Sequence, residues 1–158
     1  MNIHIITVGT LKESYWRDGC EEYIKRLSAF GRTDVISLKE YKLPAKPGQK
    51  EIRAALEAEG EQILKAIPPK SVRIALCVEG KQYSSEELAS SLEKYCSQSS
   101  DICFIIGSSF GLSETVKDAA DLKLSLSSLT FPHQMTRLIL LECIYRSFCI
   151  INGTPYHK

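Results

Sequence analysis

The hydrophobic positions of this chain fall into short dense runs that alternate with long periodic stretches. "IHIITV" (Ile3–Val8) is a β-branched run ending at Gly9 and predicts a buried strand. The next segment puts Trp16, Cys20, Tyr23, Leu27 and Phe30 on one helical face. "TDVISL" (Thr33–Leu38) predicts a second strand, and "KEYKLPAKPGQ", with prolines and a glycine among lysines, a loop. From about Lys50, the residues Ile52, Leu56, Ile63 and Ile67 recur with helical period until Pro68 and Pro69 end the helix. "VRIALCV" (Val72–Val78) predicts a third strand closed by a turn at Gly80, after which Ser84 and Glu87 have capping-box spacing and open a helix to about Gln98. "DICFII" (Asp101–Ile106) is almost wholly apolar, as a strand covered on both faces should be. In "GSSFGLS" Ser113 is the expected N-cap of a short helix through Ala120. "LKLSL" (Leu122–Leu126) predicts a weak fifth strand. Pro132 fits the first turn of the last helix, whose expected apolar stripe is Leu138, Leu141, Tyr145 and Phe148 and whose stop is Gly153.

Strand and helix alternate from end to end without a repeat. That pattern predicts one α/β domain over residues 1–158, a mainly parallel sheet with helices on both faces. Ligands of such sheets sit beyond the carboxyl ends of the strands. The loops after Leu76–Val78, after Ile106 and after Leu126 are therefore the places to expect a site.

Composition narrows the classes. With 158 residues, 44% hydrophobic and 25% charged, the chain has the make-up of a soluble globular protein. No apolar run approaches the roughly 18–20 residues of a membrane span, and "MNIHIITVGT" lacks the features of a signal peptide. A cytoplasmic protein without a membrane partner is the expectation. The cysteines at 20, 77, 96, 103, 143 and 149 form no C-x-x-C pair and have no histidine at zinc-like spacing, so free thiols and no metal are expected. The net charge of +1 gives no global footprint for nucleic acid. A local patch exists at Lys39, Lys42, Lys46, Lys50 and Arg53, for which a solvated surface loop is the plainer reading.

Candidate chemistry is sparse. "GSSFG" (Gly107–Gly111) follows a strand and precedes a helix, where backbone N–H groups can meet a ligand. It matches neither the P-loop nor the dinucleotide fingerprint. The absence of a nucleophile elbow, of H-E-x-x-H and of a spaced Cys/His pair disfavours hydrolases. His133 stands at the positive end of the last helix, which favours a neutral imidazole able to accept a proton. Arg137, at i+4, shares its face and is expected to look into the same crevice. Glu142 and Arg146 read as a helix ion pair, and Tyr156–His157–Lys158 as a tail that by default frays.

"LTFPHQMTRLILLECIYRSFCIINGTPYHK", with "FIIGSSFGLS" and "IITVGTLKESYWRDGCEEYIKRL", closely resembles the RlmH family over essentially the whole chain. Its members are SPOUT-class enzymes that methylate N3 of a pseudouridine in 23S ribosomal RNA of the large subunit, in the helix 69 region. The resemblance implies a homodimeric α/β fold with a C-terminal trefoil knot, an exception to unknotted topology. It implies S-adenosylmethionine held by Leu76, Gly107, Leu126, Ser127, Ser128, Leu129, Thr130 and Phe131, with no metal. His133, Arg137, Tyr156 and His157 are the implied substrate-side residues. One position departs from the pattern, since Ser108 stands where the family usually has a second glycine. If that position requires positive φ, a serine there is strained and cofactor affinity suffers. The rival readings are a knotted binding module without transferase activity and a flavodoxin-like nucleotide binder. A helix of about 20 residues spans about 30 Å, so the tail starts far from His133. It is expected to cross a dimer interface or fold back, bringing Tyr156 and His157 to a methyl-transfer site and Lys158 to a phosphate.

Overall fold

The computed structural model describes residues 1–157. Five strands, β1 (Asn2–Val8), β2 (Arg32–Leu38), β3 (Val72–Lys81), β4 (Asp101–Ile106) and β5 (Leu122–Leu124), alternate with five helices. These are α1 (Ser14–Leu27), α2 (Gln49–Ala66), α3 (Ser85–Gln98), α4 (Glu114–Asp118) and α5 (His133–Ile151). The strands form one sheet in the order β2-β1-β4-β3-β5, and every pairing is parallel.

The two-residue period of a strand decides the layers. In β1 and β4, Ile3, Ile5, Ile102, Phe104 and Ile106 face one side, where α1, α3 and α5 supply Leu27, Leu92, Leu140 and Ile144. The alternate residues Ile6, Val8, Cys103 and Ile105 face the other side, against Ile63 of α2 and Val116 of α4. Full burial of an isoleucine or leucine side chain contributes about 1.5–3 kcal/mol, so these central strands anchor the sheet. The capping box is present: the Ser84 N–H donates to Glu87 Oε2 (2.7 Å) and the Glu87 N–H to Ser84 Oγ (3.2 Å).

Several boundaries differ from the sequence expectation. Gly80 is inside β3 rather than in a turn. A Cβ there would stand 2.7 Å from the backbone of Lys123 and Leu124, so glycine is what lets β5 approach. The register against β5 shifts between Leu76 and Lys81. β5 stops at Leu124, and the Ser125 N–H turns to the Lys81 carbonyl at 2.9 Å. α4 ends at Asp118, short of Ala120. Phe30 lies past the end of α1 yet stacks on Phe148 with centroids 5.9 Å apart. Pro132 is the cap residue before α5 rather than part of its first turn.

The buried face of α5 is centred on Arg137, Leu140, Leu141, Ile144 and Phe148. Leu138 and Tyr145 are half-buried on the flank. Leu138 abuts Gly19, where a Cβ would sit 3.1 Å from a Leu138 methyl, so the glycine allows α1 and α5 to pack closely. Among the described residues no helix is long and apolar enough to cross a membrane.

Candidate active site at the carboxyl ends of the strands

A cavity of about 310 Å³ opens beyond the carboxyl ends of β3, β4 and β5, a size within the range of small-molecule sites. Three loops wall it: Leu76 to Glu79, Gly107 to Leu112, and Ser125 to Phe131. His133 and Thr136 close it from the first turn of α5. Of the residues singled out for a cofactor, Leu76, Gly107, Leu126, Ser127, Leu129, Thr130 and Phe131 line the cavity. Ser128 is exposed in the same turn and lies outside the lining.

The Gly107 loop has no room for a side chain at its start. A Cβ on Gly107 would fall 2.1 Å from the Gly111 carbonyl oxygen, and the loop closes with the Gly111 N–H on the Ser108 oxygen at 2.9 Å. Gly111 itself takes φ +90°. Ser108 does not: among the described residues Lys70 is the one non-glycine at positive φ, so the expected strain at Ser108 is absent. Its hydroxyl instead donates to Glu59 Oε2 at 2.8 Å, and Glu59 Oε1 accepts the Tyr41 N–H at 2.9 Å. Glu59 is only 3% exposed, so a buried carboxylate on α2 fixes this loop. The third loop is held locally, with the Ser125 hydroxyl on the Ser127 carbonyl (3.0 Å) and the Leu129 N–H on Ser127 Oγ (3.0 Å).

Sequence reasoning missed one charged feature of the wall. Glu79 pairs with Lys117, which also reaches Glu114 at 3.0 Å. The Lys117 ammonium holds the Glu79 carboxyl below its usual range. Ending β3 before Gly80 had hidden that Glu79 faces this cavity, and the polar residues after Val78 gave no signal of it.

His133 and Arg137 are both near Gly9 but do not share the cavity. His133 Nε2 lies 3.8 Å from where a Gly9 Cβ would stand. Arg137 is 6% exposed and does not line the cavity, contrary to the expectation of a shared crevice. Its guanidinium reaches the end of β1, donating to Thr7 Oγ1 and, at 3.2 Å, to the Gly9 carbonyl. Both residues sit on one face of α5, and Arg137, one turn further along, is drawn to the end of β1 by these hydrogen bonds while His133 stays at the cavity. Among the described residues no carboxylate pairs with Arg137, and burial pushes its pKa below the ordinary value.

The tail is not frayed, and it does not reach this cavity. It folds back over α1, α3 and α5 of its own chain. The Tyr156 hydroxyl donates to Glu142 Oε1 (3.2 Å) and sits 3.4 Å from the Tyr23 hydroxyl, while its ring packs edge-on against Tyr145. The Arg146 guanidinium lies 4.8 Å from the Tyr156 ring centre and pairs with Glu142 at 2.5 Å. His157 Nδ1 accepts from Arg146 (3.4 Å) and Nε2–H donates to Glu86 Oε1 (2.8 Å). The hydrogen bond with Tyr23, then burial and the Glu142 charge, push the Tyr156 hydroxyl far above its usual pKa. Lys158 lies outside the described residues.

A parallel sheet with a cavity walled by three strand-end loops defines an α/β protein with a candidate small-molecule site. The family model described as "Predicted SPOUT methyltransferase" matches residues 1–157. "Ribosomal RNA large subunit methyltransferase H" of Bacillus pumilus (strain SAFR-032) is 48% identical over 159 residues, covering 100% of both chains. The "Putative ribosomal RNA large subunit methyltransferase H" of Methanococcus maripaludis is 49% identical with the same coverage. Among solved structures, a probable methylase family protein from Haemophilus influenzae Rd KW20 aligns with TM-score 0.53 at 16% identity, over 96% of this chain and 66% of that one. The tRNA (m1G37) methyltransferase of Aquifex aeolicus aligns with TM-score 0.52 at 15% identity, over 92% and 70%. The chain belongs to the SPOUT methyltransferases, in the ribosomal RNA large subunit methyltransferase H family.

Proposed function

We propose that the protein is a methyltransferase that uses S-adenosylmethionine to methylate N3 of a pseudouridine in large-subunit ribosomal RNA. The observation that carries this reading is the cavity with Leu76, Gly107 and the 126–131 loop on its walls and His133 at its edge, in a chain of this family. The residues fit the cofactor. Gly107 leaves backbone where a Cβ would fill the turn, and three loops offer amides and carbonyls that can read an adenine edge. The Glu79–Lys117 pair adds a charged wall for a zwitterionic amino-acid end. The C-terminal trefoil knot belongs to the same proposal, supported by the 125–131 loop between β5 and α5.

The bound cofactor supplies an activated methyl group, and the protein must align the attacking nitrogen and deal with its proton. His133, at the cavity edge, accepts or relays that proton. Arg137, buried and paired with no carboxylate among the described residues, stabilises the negative charge that develops as the base loses its proton, acting at the Gly9 end of β1. Because Tyr156 and His157 do not reach the cavity of their own chain, we place them at the cavity of a second copy in a symmetric dimer. A monomer by sedimentation at micromolar concentration refutes that arrangement. A net charge of +1 gives little grip on naked RNA, so the substrate is the assembled ribosomal particle and the protein works in the cytoplasm. Labelled cofactor with particles, and separately with protein-free rRNA, tests the reading. Transfer to particles that is abolished by His133→Ala is expected; equal labelling of free rRNA refutes the particle requirement, and no labelling of either refutes the activity.

A further inference from the structure

The loop between β2 and α2 carries the chain's basic segment, and its place in the fold is informative. β2 runs parallel to β1, and the Gly9 N–H donates to the Leu38 carbonyl at 2.8 Å, so the loop leaves the sheet at the edge where Gly9 stands. Glu40 Oε2 and His133 Nε2 both lie within 4 Å of a Cβ built on Gly9, at 3.6 and 3.8 Å. The basic segment therefore begins beside the proposed base. Lys39, Lys42, Lys46 and Lys50 are all exposed, and none of them forms an ion pair among the described residues. Of the nearby carboxylates, Glu51 is engaged in capping, accepting the Gly48 N–H at 2.7 Å, which leaves Glu40 as the acidic member of the loop.

Tyr41 adds a second, independent feature. Its side chain is 47% exposed, yet its backbone N–H is fixed to the buried Glu59 carboxylate, the group that also holds Ser108 of the cavity wall. An aromatic ring is thus presented to solvent on an anchored backbone, with Pro44 and Pro47 limiting the freedom of the rest. Unpaired cations suit phosphates, and an exposed ring suits an unstacked base; together they match structured RNA with flipped or looped nucleotides better than an acidic peptide.

We propose that residues 39–50 form the RNA-docking surface, with the lysines on phosphates beside the target and Tyr41 against a base. This rests on the ribosomal RNA reading above and adds the face that grips the substrate. The test uses the full chain with Lys42 and Lys46 both changed to Glu, and separately Tyr41→Ala. Affinity for ribosomal particles is measured by co-sedimentation across salt concentrations, alongside cofactor binding by calorimetry and methyl transfer. The double variant is expected to bind particles about tenfold more weakly at low salt, with its log–log salt slope reduced by about 2. Its cofactor affinity and its rate at saturating particle concentration should match the wild type. Tyr41→Ala should weaken binding without moving the salt slope. Unchanged particle affinity in the double variant overturns the proposal. Weaker binding with an unchanged slope also overturns it, since that marks contact with protein rather than phosphate. If the wild type binds particles through these lysines but transfers no methyl group, the docking surface stands and the methyltransferase reading falls.

Discussion

Replacing Ser108 by glycine should destabilise this protein, although the sequence alone raises the opposite expectation of a strained serine there. If serine were strained at positive φ, glycine would relieve the strain and gain about 1 kcal/mol. The structure gives the opposite sign. Ser108 is absent from the positive-φ residues, and its hydroxyl donates to Glu59 Oε2 at 2.8 Å in a setting where Glu59 is 3% exposed. Removing the hydroxyl leaves one oxygen of a buried carboxylate without a partner, at a cost of about 1–3 kcal/mol. For a chain of this length each kcal/mol moves the midpoint by about 2–4 °C. Ser108→Gly should therefore lower the midpoint by at least that step and weaken cofactor binding, because the Gly107 loop loses its tie to α2. Ser108→Ala separates the lost hydroxyl from glycine's added chain entropy, and a cycle with Glu59→Gln reads the pairwise coupling. Scanning calorimetry and cofactor titration measure both effects. A raised midpoint or tighter binding in Ser108→Gly refutes the reasoning, as does a Ser108→Ala variant identical to wild type.

Gly107→Ala should reduce cofactor affinity at least about tenfold, because its Cβ would meet the Gly111 carbonyl at 2.1 Å and the loop must move; calorimetric titration checks it. Arg137→Leu, compared with Arg137→Lys, should lower the transfer rate about 100-fold or more while leaving cofactor affinity within a few-fold, with circular dichroism confirming the fold. Deleting residues 156–158 should abolish methyl transfer while folding and cofactor binding persist; full activity in the truncated chain would show that the tail has no part in transfer. Glu86 is held at about 2, first by its own amide at the start of α3 and then by His157, against an ordinary value of 4.5. A carboxyl lowered on folding contributes stability that is present above pH 4.5 and is lost as pH falls toward 2. The tail's amide protection should follow that window, and His157→Ala should reduce its pH dependence.

The sheet was legible because β1 and β4 are buried on both faces, which leaves a nearly continuous apolar run with few alternatives. α3 was legible from Ser84 and Glu87, whose spacing carries its own hydrogen-bond mechanism. The far end of β3 was not, since a glycine reads as a turn unless the neighbour that needs the space is known. Here that neighbour is the backbone of Lys123 and Leu124, more than forty residues later. The face of α5 was misplaced because its stripe was drawn through apolar residues alone, whereas Arg137 lies at the centre of the buried side. The role of Ser108 was invisible for a related reason: its partner Glu59 sits on a different helix, and an isolated glutamate in a helical stretch reads as solvated.

Those misreadings fall on buried charges, and the two charges bear differently on function. Glu59 is satisfied by Ser108 and the Tyr41 amide, so its work is to hold two loops, and its removal should be felt as lost stability. Among the described residues, Arg137 has only a hydroxyl and a carbonyl as hydrogen-bond partners. Burying an ion without a counter-charge costs several kcal/mol, and a well-packed apolar side chain at such a place is often neutral or stabilising. Stability alone thus gives no reason for a guanidinium at the end of β1, one helical turn from His133 and against the same glycine. A reaction in which negative charge develops on a base held at that edge does give one, because the missing counter-charge then arrives with the substrate. On that account Arg137→Leu should leave the folded protein as stable or more so while it loses turnover, a combination that a purely structural arginine would not produce.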